Sequence, residues 1–310
     1  MNIVLLDAKT LGGDLDLSPL EQFGTLTKYE TTSAEETLSR IADADIVITN
    51  KVLITAVLME ACSKLKLICI AATGTNNVDL EAAKTQGIEV KNVAGYSTKS
   101  VVQHTFAMAL YLLEKMAYYD NVVKSDAWSA SGLFTDVSKP FYEISGKKWG
   151  IIGLGNIGKE VAAIAEAFGA EVSYYSTSGK NLHSAYPNKS LEFILKDSDI
   201  VSIHAPLNDD TYELINENNL PFLKDKAILL NLGRGGIVDE TDLAFELDRR
   251  EIYAGLDVLE KEPLSITNRL KEVKHQERLL ITPHMAWASI EARQKLLAGI
   301  VKNIKTFLES

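Results

Sequence analysis

Short apolar runs alternate with amphipathic stretches along the whole chain, which predicts strands separated by helices. One helix start is marked by Ser33 and Glu36, which have the spacing of a capping box in SAEETL. Strands that alternate with helices predict parallel sheets covered on both faces. The strand-like runs in the first part of the chain are IVLL at 3–6, DIVIT at 45–49, LKLICIA at 65–71 and IEVKNV at 88–93.

A second series of apolar runs begins near residue 149 and predicts a doubly wound sheet of its own. Its runs are WGII at 149–152, EVSYY at 171–175, DIVSIHAPL at 199–207, KAILLNLG at 226–233, YAGLDV at 253–258 and RLLITPH at 278–284. The tail at 288–310 is amphipathic and predicts one long helix that returns to pack on the first part. The chain is therefore predicted to be an α/β protein with two domains.

A glycine-rich turn lies between the first strand of the second series and the helix that follows it. Gly153, Gly155 and Gly158 form G-x-G-x-x-G, which in this context indicates dinucleotide binding. The first glycine permits a tight turn, the second lets the backbone approach a pyrophosphate, and the third lets the helix pack closely on the strand. Asn156 and Ile157, at the helix start, are predicted to contact the same cofactor. A purely structural turn is the alternative.

The composition disfavours some classes of partner and some kinds of site, although local basic patches remain possible. The chain has 310 residues, enough for two domains, and its net charge of −10 disfavours nucleic acid or an anionic membrane as a partner. Cys62 and Cys69, with no second pair or histidine cluster nearby, predict buried free thiols and no metal site. The N-terminus has no basic and apolar leader, and Gln103 and His104 interrupt the apolar run at 100–113. A cytoplasmic location is therefore expected.

Three polar residues follow predicted strands, where ligands bind in open α/β sheets. Arg234 stands in a glycine-rich loop and suits the capture of a carboxylate, with an exposed surface arginine as the alternative. His284 follows a strand and Pro283, and Glu262 precedes Pro263. Taken singly, each has an ordinary structural explanation. Together they supply a carboxylate binder, a proton carrier and an acid that keeps the proton carrier charged, which is the set needed to reduce a 2-oxo acid.

Other residues at strand ends of the second series are predicted to line a cofactor crevice. His204 is interpreted as architecture or as a cofactor contact, because it ends a strand just before Pro206. The remaining histidines, His104, His183 and His275, are assigned structural or surface roles. The further predicted cofactor contacts are Ala205, Pro206, Asn231, Leu232, Gly233 and Asp257.

Over essentially its full length the chain resembles the D-2-hydroxyacid dehydrogenases. The resemblance is carried by ATGTNNVDL, GYSTKSVVQHTFAMAL, GLGNIGKEVA, HAPLN, NLGRGGIVDE, GLDVLEKEP and TPHMAWAS, in family order. It implies two Rossmann-like domains: a smaller, flavodoxin-like substrate domain at 1–98 plus 287–310, and a doubly wound parallel-sheet NAD(P)-binding domain at 99–286. It also implies a homodimer built through the cofactor domain. The apolar helix at 100–119 is the candidate contribution to that interface, with ordinary core packing as the alternative.

The resemblance implies a catalytic triad of Arg234, Glu262 and His284. In the family the nicotinamide delivers hydride to C2 of a 2-oxo acid while the histidine protonates the developing alkoxide. Glu262 is expected to favour the charged imidazole. Arg234 and the backbone amides of Thr73 and Gly74 are expected to hold the substrate carboxylate.

Two further side chains are candidates for substrate contact. Lys51 follows a strand end in the first domain and is expected either to assist with an anionic substrate or to be solvated. Trp287 stands close after the catalytic histidine and is expected to wall the substrate pocket, with a packing aromatic as the alternative.

The motifs also narrow the substrate. ATGTNNVD, NVAGYST and TPHMAWAS look most like glycerate dehydrogenases, which reduce hydroxypyruvate and often glyoxylate. A 3-phosphoglycerate dehydrogenase is disfavoured because the sequence ends one helix after TPHMAWAS, and a formate dehydrogenase because Glu262 stands where that enzyme has glutamine. The predicted pairs are hydroxypyruvate/D-glycerate and glyoxylate/glycolate. The alternatives are a D-lactate-type or other small 2-oxo acid reductase, and a nucleotide-binding sensor or co-repressor without catalysis.

The position expected to present an acid to the cofactor ribose holds Ser176 instead. In NAD-dependent members of the family an aspartate there accepts from the 2′-OH of NAD and repels the 2′-phosphate of NADP. Thr177, Ser178 and Lys180, with His183 close by, offer hydroxyl donors and a positive charge. The loop therefore favours NADP(H) over NAD(H), with dual use or NAD(H) as the alternatives.

Overall fold

The computed structural model describes residues 1–180 and 185–310. The chain forms two compact units: unit 1 comprises Met1–Ser97 and Trp287–Ser310, and unit 2 comprises Thr98–Ala286. Thr98 belongs to unit 2 and not to the first domain, where the sequence places it, because it is the first residue of a helix that packs in unit 2.

Unit 1, which the structure describes in full, contains a parallel five-stranded sheet in the order β2-β1-β3-β4-β5. Its strands are β1 (Asn2–Leu5), β2 (Thr25–Lys28), β3 (Ile46–Thr49), β4 (Leu67–Ile70) and β5 (Glu89–Lys91). Four of them coincide with predicted apolar runs. The edge strand β2 is not predicted, because its sequence TLTK has three exposed residues and no apolar run.

The helices of unit 1 are α1 (Ala34–Ile41), α2 (Ala56–Glu60), α3 (Leu80–Thr85) and α10 (Ile290–Leu308). Ser33 and Glu36 form the expected capping box at the start of α1, with both reciprocal bonds present. α10 packs on one face of the sheet, where Leu296 and Ile300 share an apolar cluster with Ile3. The C-terminal helix therefore returns to the first part of the chain, as expected from its amphipathic sequence.

The two cysteines are free and buried, as predicted. Burial raises the pKa of the Cys69 thiol to about 12, so this thiol stays protonated at neutral pH and is a poor nucleophile. Within residues 1–180 and 185–310, no cluster of histidine, cysteine or acidic side chains is arranged to hold a metal ion.

The described residues of unit 2 contain a parallel six-stranded sheet in the order β11-β10-β9-β8-β6-β7. Its strands are β6 (Lys148–Ile152), β7 (Glu171–Tyr175), β8 (Ile200–Ile203), β9 (Ile228–Asn231), β10 (Tyr253–Leu256) and β11 (Leu279–Ile281). Each coincides with a predicted run. The strand order reverses between β6 and β8, and doubly wound sheets bind ligands at such a switch point, outside the carboxyl ends of the strands.

The helices described in unit 2 are α4 (Thr98–Leu113), α5 (Met116–Lys124), α6 (Ala127–Ser131), α7 (Asn156–Ala167), α8 (Leu191–Asp197) and α9 (Glu240–Arg249). α4 packs inside the unit, where the Phe106 ring contacts Trp149 and Phe168. The single helix expected at 100–119 is wrong, because Lys115 takes a left-handed conformation (φ 55°) and separates α4 from α5. Core packing therefore accounts for the apolar side of α4. No helix among the described residues is both long and apolar enough to cross a membrane.

Candidate active site

Arg234, Glu262 and His284 lie on one side of the unit 2 sheet, beyond the carboxyl ends of its strands. They follow β9, β10 and β11 respectively, and these three parallel strands are hydrogen-bonded neighbours. The carboxyl ends of parallel neighbours meet at the same edge, which is the edge where open α/β sheets bind ligands. The fold therefore gathers the three candidate catalytic residues where a ligand is expected.

His284 and Glu262 form a hydrogen-bonded pair. Nδ1 of His284 lies 2.7 Å from Oε2 of Glu262, and Oε1 of the same carboxylate accepts a bond from the Leu259 amide at 3.0 Å. An ionised carboxylate only accepts, so Nδ1 carries a proton and Nε2 is the nitrogen available to a ligand. The His284 and Glu262 side chains are 22% and 32% exposed, so a small molecule can reach them. This is the arrangement of a general acid held by a carboxylate.

Asp257 anchors the loop that carries His284. The Thr282 hydroxyl donates to Oδ1 of Asp257 at 2.6 Å. The amides of Met285 and Ala286 donate to the same carboxylate, each at 2.9 Å. The His284 amide donates to the Asp257 carbonyl oxygen at 2.8 Å. Asp257 is 2% exposed, so these bonds form away from water. Both of its carboxylate oxygens bind the loop, a role that its motif does not indicate, and its expected contact with the cofactor stays a prediction.

Arg234 lies on a turn in which close packing requires a glycine at position 235. A Cβ atom on Gly235 would overlap the backbone of Leu259, which lies between β10 and Glu262. The turn is closed by Asn231, whose side-chain amide donates to the Arg234 carbonyl oxygen at 2.9 Å. Nη1 of Arg234 donates to the Gly233 carbonyl oxygen at 2.8 Å. This bond fixes the guanidinium near the carboxyl end of β9. Its other N–H groups are available to bind a carboxylate.

The glycine-rich turn has the geometry of a phosphate-binding turn. Gly153 has a φ of 90° and packs so closely on Ala205 that an added Cβ would lie 2.9 Å from the Ala205 Cα. A Cβ on Gly158 would collide with the Gly153 carbonyl oxygen. By contrast, apart from Gly155 and its chain neighbours, no described atom lies within 4 Å of the Cβ position of Gly155, and α7 begins next to it at Asn156. Open space at a helix N-terminus fits a bound pyrophosphate.

His204 follows β8 beside this turn, and its amide donates to the Ile152 carbonyl oxygen at 2.8 Å. The residue as a whole is half-buried, but both ring nitrogens are buried and have no hydrogen-bond partner among the residues described. Burial lowers the pKa of His204 to about 3, so the imidazole is neutral at neutral pH. A neutral ring with a free N–H fits a polar ligand group and does not fit a general acid.

The other predicted cofactor contacts differ in exposure. Pro206 is exposed and Ile157 is half-buried. The remainder are buried at the strand ends, so little more than their backbone can face a ligand: Ala205, Asn231, Leu232 and Gly233.

The loop after β7 forms a turn at Ser176. Its amide donates to Oδ1 of Asn188, and the Gly179 amide donates to its carbonyl oxygen, both at 3.3 Å. The Ser176 hydroxyl is buried and has no partner in the part of the chain that the structure describes. His183 lies outside the described residues. The other candidates of this loop are half-buried or exposed: Thr177, Ser178 and Lys180.

Within unit 1, Thr73 and Gly74 lie in a turn after β4. Nδ2 of Asn92 donates to the Thr73 carbonyl oxygen at 2.6 Å, and the Thr73 hydroxyl donates to the Val93 carbonyl oxygen at 3.2 Å. Across the described ranges, no group accepts a bond from the amides of Thr73 and Gly74. Two adjacent free amides suit an anionic oxygen.

Lys51 is exposed on the loop after β3, and a residue that the sequence does not single out fixes this loop. The carboxylate of Asp7 accepts bonds from the amides of Asn50 and Lys51, at 2.9 and 2.7 Å. It also accepts from the Thr49 hydroxyl at 3.2 Å. Asp7 is 4% exposed and follows β1, so an acid at a strand end is the only sequence signal for this role.

Trp287 is half-buried in unit 1. Its ring packs edge-to-face on Tyr96, with ring centroids 6.2 Å apart, at the margin of the apolar cluster under α10. This contact supports the packing explanation for Trp287 and leaves its place in a substrate pocket as a prediction.

Known proteins resemble this chain in sequence and in structure. The family model for the NAD binding domain of D-isomer specific 2-hydroxyacid dehydrogenases matches residues 106–286. The chain is 36% identical to a hydroxypyruvate reductase of Blautia hydrogenotrophica, over 100% of this chain and 97% of the relative. It is 38% identical to a glycerate dehydrogenase of Methylorubrum extorquens, over 91% of this chain and 88% of the relative. The solved structure of an acyclic imino acid reductase in complex with NADPH and D-Arg is similar, with a TM-score of 0.86, 30% identity, and coverage of 100% of this chain and 97% of that one.

Proposed function

Because this chain belongs to the D-isomer-specific 2-hydroxyacid dehydrogenase family, we propose that it reduces hydroxypyruvate to D-glycerate, with glyoxylate as a second substrate. The observation that carries the proposal is the His284–Glu262 pair at 2.7 Å. This pair follows β10 and β11, at the same carboxyl-terminal side of the sheet where Arg234 follows β9. The names of the relatives, hydroxypyruvate reductase and glycerate dehydrogenase, support the choice of substrate.

Each residue of the triad has a defined task. When bound, the nicotinamide supplies the hydride that reaches C2 of the 2-oxo acid. Arg234 binds the substrate carboxylate through two parallel N–H groups and so orients C2. His284, protonated at both nitrogens, gives its Nε2 proton to the C2 oxygen as negative charge develops there. Glu262 keeps its bond to Nδ1, which fixes the ring orientation and stabilises the imidazolium before transfer.

Features of unit 2 fit a dinucleotide. The open position at Gly155 and the N-terminus of α7 suit the pyrophosphate. The neutral imidazole of His204 and the hydroxyl of Ser176, both buried without a partner among the described residues, offer donors to a polar ligand. On unit 1, Lys51 and the free amides of Thr73 and Gly74 are proposed carboxylate contacts, and Trp287 is a proposed wall of the substrate pocket.

We expect kcat/KM for hydroxypyruvate to be at least about tenfold higher with NADPH than with NADH, a difference of about 1.4 kcal/mol. The reason is the loop after β7, where Ser176 replaces the acid that repels a 2′-phosphate and Lys180 adds a positive charge. Steady-state rates with both cofactors, measured in parallel on the purified protein, test this. A Ser176→Asp variant is the matched control, and it should turn the preference towards NADH.

The possible outcomes of this experiment test the proposed cofactor preference and the proposed reaction separately. A wild-type preference for NADH would overturn the proposed NADP(H) preference and leave the reductase intact. Absence of turnover with either cofactor would overturn hydroxypyruvate as the substrate, and would favour another 2-oxo acid or a nucleotide-binding protein without catalysis.

We also propose a homodimer formed through residues 116–142 of unit 2, which we call the arm. Neither α5 nor α6 of the arm has a buried residue, and Phe134 and Val137 are 92% and 79% exposed. The arm is nevertheless ordered by side-chain bonds, since the Tyr119 hydroxyl donates to the Lys139 carbonyl oxygen at 2.8 Å. An ordered segment with large exposed apolar side chains is typical of a protein–protein interface.

Sedimentation velocity at micromolar concentration should therefore give a dimer for the wild type. Phe134→Asp should give a monomer, because a charge would be buried in the interface. Phe245→Asp, which changes an exposed phenylalanine on α9 outside the arm, should remain dimeric. A monomeric wild type, or a Phe134→Asp dimer of unchanged affinity, would contradict the proposed interface.

A further inference from the structure

The first turns of α4 contact the loop that carries His284. Ser100 and His104 are one helical turn apart, so their side chains project from the same side of α4. The Ser100 hydroxyl donates to the Ala286 carbonyl oxygen at 2.5 Å, and Nε2 of His104 lies 3.1 Å from the Thr282 hydroxyl oxygen. The two ends of the segment 282–286 are thereby tied to one helix.

The direction of these bonds can be deduced from the chemistry of Asp257. The Thr282 hydroxyl has one proton, and it donates that proton to the Asp257 carboxylate at 2.6 Å. Towards His104 the hydroxyl oxygen can only accept, so Nε2 of His104 must carry a hydrogen. The chain of donors therefore runs from His104 through Thr282 to the carboxylate, and it ends on the same Asp257 that binds the amides of Met285 and Ala286.

This chain of bonds is sheltered from water. The His104 side chain is 17% exposed and that of Asp257 is 2% exposed, and Nε2 of His104 is 3.6 Å from Oδ1 of Asp257. Hydrogen bonds in such surroundings hold their geometry better than bonds that compete with solvent.

The loop needs this support because His284 has a left-handed backbone, with a φ of 51°. For a residue other than glycine this conformation is unfavourable and persists only when the surroundings impose it. Asp257 restrains the loop from the side of β10, and α4 restrains it through Ser100 and His104. A loose loop would move Nε2 of His284 away from the atom it must protonate.

We propose that His104 is a positioning residue for catalysis, which acts on His284 through Thr282 and Asp257. His104 holds the loop in the conformation that aims the His284 imidazole, and it touches neither substrate nor cofactor in this role. The inference rests on the proposed function of His284 as the general acid. The positioning role takes the place of the ordinary structural role that the sequence suggests for His104, a histidine inside an apolar helix.

The test compares His104→Leu, which removes the donor, with His104→Gln, whose side-chain amide can place an N–H near the position of the imidazole Nε2. We expect His104→Leu to lower kcat by about tenfold, the effect of one lost buried hydrogen bond, with KM and NADPH affinity unchanged within about twofold. His104→Gln should recover most of kcat. His275→Gln, a change at a partly exposed histidine of the same unit, should leave all three quantities unchanged.

Thr282→Val provides an independent route if His104→Leu does not fold. It removes the hydroxyl at nearly constant shape and should lower kcat to a similar extent. The double variant should lose little more than either single variant, because both changes break one chain of bonds. Thermal unfolding and NADPH titration of each variant show whether the protein is folded and binds its cofactor.

Two results would overturn the positioning role: full kcat in folded His104→Leu, or failure of His104→Gln to recover kcat while its unfolding temperature matches the wild type. Failure of the proposed function is distinguished from failure of the positioning role by the wild type and by His284→Ala, measured in the same series. If the wild type is inactive, or if His284→Ala is as active as the wild type, the general-acid assignment is wrong and the His104 inference falls with it.

Discussion

Replacement of His284 by alanine is expected to lower kcat by about 10²- to 10⁴-fold, while KM for the 2-oxo acid changes little. In the proposed mechanism the imidazole, which is paired with Glu262 at 2.7 Å, gives its proton to the C2 oxygen during hydride transfer, and alanine has no proton to give. Arg234, the proposed binder of the substrate carboxylate, remains in the variant, which is why the loss is expected in kcat. Steady-state kinetics with hydroxypyruvate and a saturating reduced nicotinamide cofactor measure both constants.

The matched control is His275→Ala, at a histidine that is partly exposed in the same unit and pairs with Glu277 at 3.4 Å. Its kinetic constants should equal those of the wild type. If His284→Ala retained near-full activity, the mechanism proposed here would be wrong, whatever the cofactor preference.

Replacement of Arg234 by alanine is expected both to raise KM and to lower kcat, so that kcat/KM falls by about 10²- to 10³-fold. In the proposed mechanism the variant loses two charge-assisted bonds to the substrate carboxylate, and with them the orientation of C2 relative to the proton donor. Arg234→Lys keeps the charge without the planar fork, so its kcat/KM should lie between those of the wild type and the alanine variant. Initial rates over a range of hydroxypyruvate concentrations give both constants.

Arg269→Ala is the matched control, because Arg269 is an exposed arginine of the same unit that pairs with Glu272. This change should leave KM and kcat unaltered. An Arg234→Ala enzyme with wild-type KM would show that the carboxylate is bound elsewhere, and would remove Arg234 from the site.

Much of this site is predictable because its signals are local. Gly153 and Gly158 stand at fixed spacing, and the structure shows why: one has a φ of 90° and the other packs on its carbonyl oxygen. Arg234, Glu262 and His284 each follow an apolar run, and parallel strands carry such residues to one edge. The strand pattern and the parallel arrangement of the strands are enough to bring these three residues together.

The features that sequence reasoning missed depend on contacts between distant residues. Asp257 binds the amides of residues 28 and 29 positions further along the chain, which nothing in its own motif reveals. Asp7 similarly fixes the Lys51 loop across 44 positions. The edge strand β2 is not predicted for another reason. It has one exposed face and one unpaired edge, so its sequence needs no apolar run. The break at Lys115 depends on a left-handed conformation that lysine rarely adopts, so composition cannot predict it.

The most direct test of the central claim is to follow the hydride itself. The purified protein is given hydroxypyruvate and NADPH, or NADH in parallel, with both hydrogens at C4 of the nicotinamide replaced by deuterium. We expect D-glycerate that carries one deuterium at C2, with the hydroxyl proton drawn from solvent. Unlabelled glycerate, labelled L-glycerate, or no reaction with either cofactor would contradict the claim that this chain is a reductase of hydroxypyruvate to the D-hydroxy acid.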